Sequence, residues 1–374
     1  MKTLQDRIAE LGIDTNYIDN TVLKLKQIKN LYIFGAGDRA LFLADYLSMR
    51  QVNIEGFLVN EAFLKKKTIL SQKGYKFKVS SYEKKIEEGN EFSIVLGVSS
   101  SLLNMAMFDH PTVREVFSLS VGVRSDYLIT PEMYEQHVNE LNWLYEIAED
   151  DYSREVLFAN IAGRLSGKDI EFTPSAWSDP QYFLPDLMEW QNEECVMDGG
   201  AFIGDTVEEF LAKKPNNVSR YKVYAWEPDL SSFEILSKNY VDNPNIIPLN
   251  KGMYSRSDTL CFNSSEVDKE ASYITDDGDI EIEVSSIDEV ADSEKVTFIK
   301  MDIEGSELEA LKGAEHQIIN NIPRLAICLY HKQEDMWTIP QYIHSLNPSY
   351  KMYLRTHSSM PTELALFCVP SSSM

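Results

Sequence analysis

The sequence predicts an α/β protein made of two units, each built on a mainly parallel sheet. Short apolar runs typical of strands alternate along the chain with helix-length segments whose apolar residues recur every three or four positions. Two of these runs, ending at Phe34 and at Asp198, are followed at once by glycines and then by a helical segment. Alternating strands and helices favour parallel sheets, because a helix is the usual connection between parallel strands.

The composition is that of a folded, strongly acidic protein. The 374 residues include 35 Lys+Arg and 59 Asp+Glu, which gives a formal net charge of −24, and 44% are hydrophobic. At roughly 100–200 residues per domain, this length predicts two domains or more. The charge argues against a nucleic-acid backbone or an anionic membrane as the main partner, since both would repel the protein.

Nothing in the sequence suits membrane insertion or export. No uninterrupted apolar run approaches the ~20 residues needed to span a bilayer, and the charged first residues lack the apolar core of a signal peptide. The four cysteines are far apart in sequence. That spacing argues against a zinc site or a redox pair and favours small buried side chains in a reducing compartment. We therefore expect a cytoplasmic protein without a membrane span.

The first unit is expected to end near residue 130, and it opens with a polar helical segment over residues 1–28. Three strands are predicted, at 31–34, 54–59 and 93–98. Between the first strand and the next helix, Gly35-Ala36-Gly37-Asp38-Arg39-Ala40 is a G-x-G-x-x-A variant, which in this position indicates a Rossmann-like fold. The stretch resembles Rossmann-like domains found beside sugar-modifying enzymes, so a nucleotide or nucleotide-sugar ligand stays open beside a structural or oligomerising role. For the basic cluster Lys65-Lys66-Lys67, a solvated loop and a phosphate contact are both open.

Residues 131–190 are expected to form a bridge between the units. They begin with a helical pattern, which includes Leu141 and Leu144, and then become irregular, with three prolines and several aromatic residues. This segment is too aromatic for a flexible linker. We expect it to pack on the second unit and to cover the site of that unit.

The second unit, residues 191–374, is predicted to contain seven strands. In chain order these are 195–198, 221–227, 245–250, 295–302, 324–330, 350–356 and 364–369. The last two have no helix-length segment between them, so we expect them to pair antiparallel. The acidic and polar residues 263–287 suit a hairpin or a loop insertion.

The strongest functional signal follows the first strand of this unit. Residues 196–206 read Val-Met-Asp-Gly-Gly-Ala-Phe-Ile-Gly-Asp-Thr, which is a strand ending in a carboxylate, then glycines, then a helix. The candidate binding residues here are Asp198, Gly199, Gly200, Ala201, Gly204, Asp205 and Thr206. Glycines let the backbone turn tightly and approach a ligand, and a helix N-terminus attracts an anionic group. The loop by itself fits a dinucleotide, a mononucleotide or S-adenosylmethionine (SAM).

The ends of the next strands supply further candidates. Trp226-Glu227-Pro228 ends the second strand, where a carboxylate takes hydrogen bonds from both ribose hydroxyls. The third strand runs into Lys251-Gly252, where we expect an adenine ring to rest. On the fourth strand, Lys300 and Asp302 share a face by the two-residue period, and Glu304 leaves the sheet edge.

Residues 190–370, about half of the chain, resemble the FkbM family of class I SAM-dependent methyltransferases. The resemblance rests on the Asp-Gly-Gly-Ala-x-x-Gly-Asp-Thr run, on Trp-Glu-Pro, and on residues 300–307, Lys-x-Asp-x-Glu-Gly-x-Glu, followed by Leu-Lys-Gly-Ala at 311–314. It implies a seven-stranded sheet with a reversed last strand, and methyl transfer from SAM to an oxygen, often on a sugar or a polyketide. The chain departs from the family at Leu329, the position of the usual acid in a Glu-x-His after the fifth strand.

Methyl transfer assigns roles to the residues at the cofactor end. A sulfonium methyl is already activated, so the protein must align the groups, exclude water and remove the proton of the acceptor. Asp198 and Asp205 are expected to hold the amino group of SAM, the Gly199–Ala201 amides its carboxylate end, and Glu227 its ribose. Asp302, in the motif at residues 300–307, is also expected to contact the cofactor.

The acceptor end is expected to lie at the ends of the fourth and fifth strands. His331 is the favoured base, because its ordinary pKa lies nearest neutral, with Asp302 or Glu304 orienting it. Lys300 is expected either to stabilise a developing alkoxide or to pair with an acid. Asp302, Glu304 and His331 lack the spacing that is diagnostic of a metal site, so no metal is expected.

The sequence therefore predicts a SAM-dependent O-methyltransferase that acts on a hydroxyl of a saccharide or a related small molecule. Two other classes stay open: a nicotinamide-dependent oxidoreductase, and a non-catalytic nucleotide or nucleotide-sugar binding protein, each using the first glycine loop. The oxidoreductase is disfavoured because no Tyr-x-x-x-Lys pair follows that loop within its own domain.

Overall fold

The computed structural model describes residues 2–12, 17–71, 73–98, 105–119, 131–166, 181–263, 273–274, 278, 280–357 and 363–371. The chain divides into two compact units. The first comprises Met1–Val138, Leu157–Ser175 and Ser359–Pro361, and the second comprises Asn139–Val156, Ala176–Ser358 and Thr362–Met374. The division falls inside two helices, and the domain limits at residues 130 and 190 stay predictions.

The first unit alternates strands and helices. Its helices are α1 (Leu4–Glu10), α2 (Tyr17–Leu25), α3 (Asp38–Met49) and α4 (Tyr82–Glu87). Its strands are β1 (Leu31–Phe34), β2 (Gly56–Val59), β3 (Thr68–Leu70), β4 (Lys76–Ser81), β5 (Phe92–Leu96) and β6 (Val113–Ser118). Helices α5 (Pro131–Ile147) and α6 (Asp151–Ser166) have residues in both units.

The sheet of the first unit has the strand order β3-β4-β2-β1-β5-β6. All neighbours pair parallel except β3 with β4. The pattern of apolar runs predicts β1, β2 and β5 but misses the other three, because lysines interrupt β4 and an Arg-Glu pair interrupts β6. The parallel arrangement confirms the Rossmann-like fold.

The glycine loop after β1 is shaped by contacts within the protein. Gly35 has a φ of +108°, and a Cβ placed there would lie 2.6 Å from a methyl carbon of Val98. A Cβ on Gly97 would lie 2.6 Å from the Cβ of Ala40, in helix α3. These two glycines are therefore explained by the close packing of loop, helix and strand.

The second unit contains a large and a small sheet. The strands are β7 (Glu193–Gly199), β8 (Arg220–Trp226), β9 (Ile246–Leu249), β10 (Gly252–Met253), β11 (Asp258–Asn263), β12 (Tyr273–Ile274), β13 (Ile280–Ser285), β14 (Phe298–Met301), β15 (Arg324–Cys328), β16 (Lys351–Thr356) and β17 (Leu364–Val369). The helices are α7 (Asp205–Lys213), α8 (Leu230–Asn239), α9 (Ile287–Ala291), α10 (Glu307–Lys312), α11 (Glu315–Asn320) and α12 (Asp335–Leu346). Within the described residues, no helix combines the length and the apolar character needed to cross a bilayer.

The large sheet has seven strands in the order β16-β17-β15-β14-β7-β8-β9. Strand β17 runs antiparallel to both of its neighbours, β15 and β16, while the other neighbours pair parallel. Each of the seven predicted runs overlaps one of these strands. The clearest runs are those of β14, β15 and β17, because strands buried on both faces are almost continuously apolar. The reversed last strand is confirmed.

A small sheet, ordered β10-β13-β11-β12, occupies the region between β9 and α9. Its centre is the antiparallel pair of β11 and β13, with Phe262, Ile282 and Val284 buried together. The predicted hairpin therefore begins at Asp258, earlier than residue 263. Residues 264–272 of that prediction lie outside the described residues.

The described end of the bridge, residues 181–190, packs on the large sheet. The ring of Phe183 lies 4.9 Å from that of Phe298 and 5.5 Å from that of Phe210, and it stacks on Trp190 at 5.8 Å, measured between centroids. Burying a phenylalanine in this way contributes about 1.5–3 kcal/mol. Residues 167–180 of the bridge lie outside the described residues.

Candidate active site

The predicted site residues of the second unit lie at the carboxyl edge of the large sheet. Strand β7 lies between β14 and β8, with Asp198 paired in register with Lys300 and Gly199 with Trp226. Glu227 and Asp302 each follow the last residue of a neighbouring strand. Open α/β sheets bind their ligands at this edge.

The glycines after β7 are required by contacts within the protein. A Cβ on Gly200, whose φ is +72°, would lie 1.9 Å from the carbonyl oxygen of Asp302. A Cβ on Gly204, whose φ is +98°, would lie 2.4 Å from the ring of Tyr240. Both positions exclude larger residues whether or not a ligand is bound.

The amides of this loop are already engaged. The N–H groups of Gly200 and Ala201 both donate to the carbonyl oxygen of Trp226, at 3.1 and 2.9 Å. The sequence predicts that the amides of this loop bind the carboxylate end of a ligand. In this structure the Gly200 and Ala201 N–H groups are not free for that role. The reason is that β7 and β8 stay paired up to their last residues.

Asp198 and Lys300 form a buried ion pair at the centre of the edge. Lys300 Nζ lies 3.2 Å from Asp198 Oδ1 and donates to the carbonyl oxygens of Gly199 and Gly200, at 3.0 and 2.8 Å. Burial lowers the pKa of Lys300, but the charges of Asp198 and Asp302 outweigh burial and raise it above its ordinary value. Of the two predicted roles of Lys300, the structure therefore shows the pairing with an acid.

The carboxylate of Asp198 has the Lys300 ammonium as its one close polar neighbour among the described residues. It is fully buried, and neither oxygen accepts a hydrogen bond from the residues that the structure describes. Burial raises the pKa of Asp198 to about 6, against the opposing charge of Lys300. A buried carboxylate without a well-formed hydrogen bond costs free energy, and a ligand that brings N–H groups would offset this cost.

Glu227 is also buried, at the end of β8. Its Oε2 accepts the N–H of Phe202 at 2.9 Å and its Oε1 that of Asp229 at 2.7 Å. Burial raises the pKa of Glu227 to about 7, against these two backbone hydrogen bonds. Each oxygen keeps a second lone pair, so the fixed carboxylate can still accept two hydroxyl donors.

The third predicted position follows β9. Gly252 belongs to the small sheet, paired with Val284, and Lys251 Nζ lies 3.0 Å from Glu283 Oε2 at the surface. Asn250 Nδ2 donates to the carbonyl oxygen of Pro228 at 3.1 Å and thereby ties this loop to the end of β8.

Asp205 and Thr206 begin helix α7. Asp205 is exposed, whereas the hydroxyl of Thr206 is buried without a hydrogen-bond partner among the described residues. The first turn of a helix has N–H groups without intrahelical acceptors. This turn is therefore the donor-rich part of the glycine loop.

Asp302 is surrounded by donors. Its Oδ2 accepts the hydroxyl of Tyr182 at 2.9 Å, its Oδ1 accepts that of Tyr330 at 2.8 Å, and His331 Nε2 lies 3.2 Å from Oδ1. Burial raises the pKa of Asp302, but the nearby His331 and Lys300 and the Tyr330 hydroxyl hold it below its usual range. The Asp302 carboxylate therefore stays ionised and is a weak base.

His331 lies among three carboxylates. Its Nδ1 is 2.8 Å from Glu307 Oε1, and its Nε2 is 3.2 Å from Asp302 Oδ1 and 3.4 Å from Glu304 Oε1. Burial lowers the pKa of His331, but Glu307, Glu304 and Asp302 raise it well above its ordinary value. These carboxylates therefore favour the protonated ring, which opposes the role of base that its ordinary pKa suggests from sequence, and that role stays a prediction.

Glu304 adopts a backbone conformation that is uncommon for a residue with a side chain. Its φ is +55°, and the following Gly305 has +95°. A non-glycine residue in this region costs about 1–3 kcal/mol and is common at functional sites. The turn carries the Glu304 carboxylate back over the sheet edge, where 19% of its side chain stays exposed.

Three residues of the site are absent from the sequence prediction. Tyr330 directly precedes His331 in the sequence. Glu307 is the last residue of the motif at residues 300–307, three residues after Glu304. Tyr182 comes from the bridge, 120 residues before Asp302, and no local pattern identifies it. Among the described residues, no group of three or more Asp, Glu, His or Cys side chains has an arrangement suited to a metal ion.

The seven-stranded sheet with its reversed last strand, and the carboxylates along its carboxyl edge, define the class I methyltransferase fold. Residues 198–356 match the methyltransferase FkbM domain. Over these residues the second unit of the chain is therefore similar to the methyltransferase FkbM domain.

Two relatives extend this comparison. The crystal structure of methyltransferase FkbM from Methylobacillus flagellatus KT aligns over 98% of this chain and 98% of its own, with a TM-score of 0.72 and 20% identity, which shows a shared fold. Hexuronic acid methyltransferase AglP from Haloferax volcanii is 32% identical over 132 residues, which are 34% of this chain and 52% of AglP. The chain thus spans about half the length of this curated relative.

Proposed function

We propose that this protein transfers a methyl group from SAM to a hydroxyl of a saccharide. The observation that carries the proposal is the buried Asp198 carboxylate, which has an ion pair with Lys300 but no well-formed hydrogen bond, beside the fixed Glu227 carboxylate, in a segment that matches the methyltransferase FkbM domain. Asp198 can accept hydrogen bonds from a cationic donor group, and Glu227, at the end of the next strand, can accept those of ribose hydroxyls.

The residues at this edge fit SAM. Asp198, with Asp205 beside the loop, would hold the amino group, and Glu227 would accept the ribose hydroxyls. The first turn of α7, with the Thr206 hydroxyl, would bind the carboxylate end in place of the engaged Gly200 and Ala201 amides. The loop at Lys251 and Gly252 would border the adenine. When bound, SAM supplies an activated methyl group, so no covalent intermediate on the protein is needed.

We assign to Glu304 the role of general base, which removes the proton of the acceptor hydroxyl. The carboxylates around His331 favour its protonated form, which cannot accept a proton, and Asp302 already faces two hydroxyl donors and the ring. The Glu304 side chain is 19% exposed and that of Asp302 is 24% exposed, so a substrate can reach both, and the choice of Glu304 rests on the donors that already face Asp302. His331, held by Glu307, would keep the Glu304 carboxylate in place and stabilise its charge before the transfer.

A saccharide acceptor is supported by the similarity to AglP, which is a hexuronic acid methyltransferase. A cytoplasmic setting is supported by the four free cysteines, of which Cys195, Cys328 and Cys368 are buried.

The proposal is tested by calorimetric titration of the purified protein with S-adenosylhomocysteine and, in parallel, with NADH. We expect micromolar binding of S-adenosylhomocysteine alone, followed by methylation of a saccharide in an acceptor screen with SAM. Binding of NADH alone would move the function to the first glycine loop and overturn methyl transfer. Binding of S-adenosylhomocysteine with methylation only of a non-saccharide acceptor would overturn the saccharide assignment.

A further inference from the structure

The β3–β4 hairpin of the first unit, with the loop before it, carries a local positive charge in an acidic protein. Residues 65–78 contain six lysines: Lys65, Lys66, Lys67, Lys73, Lys76 and Lys78. No acidic residue occurs between Glu61 and Glu83. We call residues 63–78 the basic hairpin.

The lysines of the basic hairpin are not neutralised by neighbours. Elsewhere in this unit, lysines contact carboxylates, as Lys24 does with Glu115 at 3.0 Å and Lys84 with Glu61 at 2.5 Å. None of the six has an ion-pair partner among the residues that the structure describes. Isolated lysines on an edge strand commonly prevent edge-to-edge pairing, but six in one short stretch exceed that need.

Apolar side chains are exposed among these lysines. Phe63 is 68% exposed and Leu70 is 61% exposed. In the hairpin, Leu70 pairs with Lys76 and Thr68 with Lys78, so these four share the exposed face. The opposite face is filled by Ile69 and Phe77, which pack against the core of the unit. The fold therefore presents Leu70 to the solvent between lysine side chains.

The combination of exposed lysines and exposed apolar side chains favours one class of anionic partner over the others. A nucleic acid or an acidic polysaccharide would contact the lysines, and unpaired bases could stack on Phe63, but neither offers an apolar phase for Leu70. A bilayer satisfies both features, because apolar side chains enter the boundary between headgroups and acyl chains while lysines attract anionic headgroups. The net charge of −24 opposes binding only weakly at physiological salt, where the Debye length of about 8 Å screens distant acidic residues.

We propose that the basic hairpin docks the protein on the surface of an anionic phospholipid bilayer. Phe63 and Leu70 would enter the headgroup boundary, and the lysines would lie against the lipid phosphates and carboxylates. This surface belongs to the first unit alone and does not depend on the proposed methyl transfer.

The test is co-sedimentation of the full chain with phosphatidylcholine vesicles that contain or lack phosphatidylserine. We expect binding only to the anionic vesicles, and at least tenfold weaker binding at high salt. The double variant Lys76→Glu/Lys78→Glu should weaken binding at least tenfold, and Leu70→Ser should weaken it at unchanged charge. Matched controls are Lys213→Glu/Lys238→Glu, which changes the net charge equally in the second unit, and Ile319→Ser, at a side chain that is 49% exposed.

Binding to neither vesicle, or equal binding to both, would overturn the proposal. So would equal losses in the hairpin and control variants, since these would reflect net charge alone. Binding to RNA or to a polyuronate without binding to anionic vesicles would also overturn the proposal and would assign the lysines to another partner. Titration with S-adenosylhomocysteine should be unchanged in the hairpin variants, which separates this outcome from that of the proposed function.

Discussion

Glu307 Oε1 lies 2.8 Å from His331 Nδ1, and both side chains are completely buried. The same oxygen of Glu307 accepts the N–H of Ile303 at 2.9 Å. Helix α10 thereby fixes both the turn that carries Glu304 and the ring at the end of β15. The charge of Glu307 is also the largest contribution that raises the pKa of His331 against burial.

Replacing Glu307 with Gln should lower the pKa of His331 while keeping an acceptor for the Ile303 N–H. A raised histidine pKa stabilises the fold fully below the ordinary value of ~6.5, and this contribution is lost as the pH rises through the folded value. The variant should therefore be less stable than the wild type at pH 7, by a margin that narrows as the pH rises through the folded pKa of His331.

NMR titration of the His331 ring and thermal unfolding at several pH values measure these two effects. Glu309→Gln, on the same helix but in an exposed pair with Lys312, is the matched control. An unchanged His331 titration in Glu307→Gln would show that Glu307 does not hold the ring charged.

Glu304→Gln should lower kcat by about 10²–10⁴-fold, the range typical of a lost general base. The affinity for S-adenosylhomocysteine should stay within twofold, because Glu304 lies at the acceptor end. Steady-state kinetics with an identified acceptor and calorimetry separate the two quantities. Glu315→Gln, on the surface of α11, controls for the change of charge. Retained turnover in Glu304→Gln, with turnover lost in His331→Gln, would return the role of base to His331.

Asp198→Asn should weaken the binding of S-adenosylhomocysteine at least tenfold, which is about 1.4 kcal/mol. The ionised carboxylate attracts the amino group, and the pKa of Asp198 is raised to about 6 by burial. Wild-type affinity should therefore fall as the pH drops through about 6, and this fall should be absent in the variant. Glu227→Gln should retain the fall in affinity near pH 6, because Asp198 is still present and the pKa of Glu227 lies elsewhere, at about 7. Calorimetry between pH 5 and 8 compares the three proteins, and unchanged affinity in both variants would place the cofactor elsewhere.

The meeting of Asp302, Glu304 and His331 could be predicted from sequence, because parallel neighbouring strands bring their carboxyl ends to one edge. The charge of His331 could not be predicted, since it depends on the buried Glu307, whose helical position reads equally well as solvent-facing. Strands β4 and β6 escape prediction for a related reason: each has exposed charged residues, Lys76 and Lys78 in β4 and Arg114 and Glu115 in β6, which interrupt the apolar run. Tyr182 reaches the site through tertiary packing alone.

Tyr182→Phe should lower turnover about tenfold, because it removes one of the two hydroxyls that donate to Asp302. A hydrogen bond to a charged group contributes about 1.5–3 kcal/mol. The backbone should stay in place, since the N–H groups of Tyr182 and Phe183 donate to Glu209 Oε1 at 3.0 and 2.8 Å.

The matched control for Tyr182 is Tyr350→Phe, which removes a buried hydroxyl that donates to the carbonyl oxygen of Pro323, away from the carboxyl edge. Both variants should lose similar stability in urea unfolding. A drop in kcat confined to Tyr182→Phe identifies a positioning role, whereas equal kcat values in the two variants would leave Tyr182 as a structural residue only.

The opposite edge of the large sheet contains a further buried ion pair, which should govern stability without affecting binding. Arg324 Nη2 lies 2.5 Å from Glu194 Oε2, and Thr297 donates to the same oxygen of Glu194. Arg324 also donates to the carbonyl oxygen of Glu189 at 2.7 Å, which anchors the end of the bridge. Arg324→Met leaves Glu194 buried without its counter-charge, so we expect a loss of about 3–5 kcal/mol in the free energy of unfolding.

The double variant Arg324→Met/Glu194→Gln should recover part of this loss, because no uncompensated charge then stays buried. Urea unfolding of the four proteins of this cycle measures the coupling. Affinity for S-adenosylhomocysteine should be the same in all four wherever they are folded, since the pair lies at the end of the strands that is remote from Asp198. A selective loss of affinity in Arg324→Met would show that the two edges of the sheet are coupled through β14.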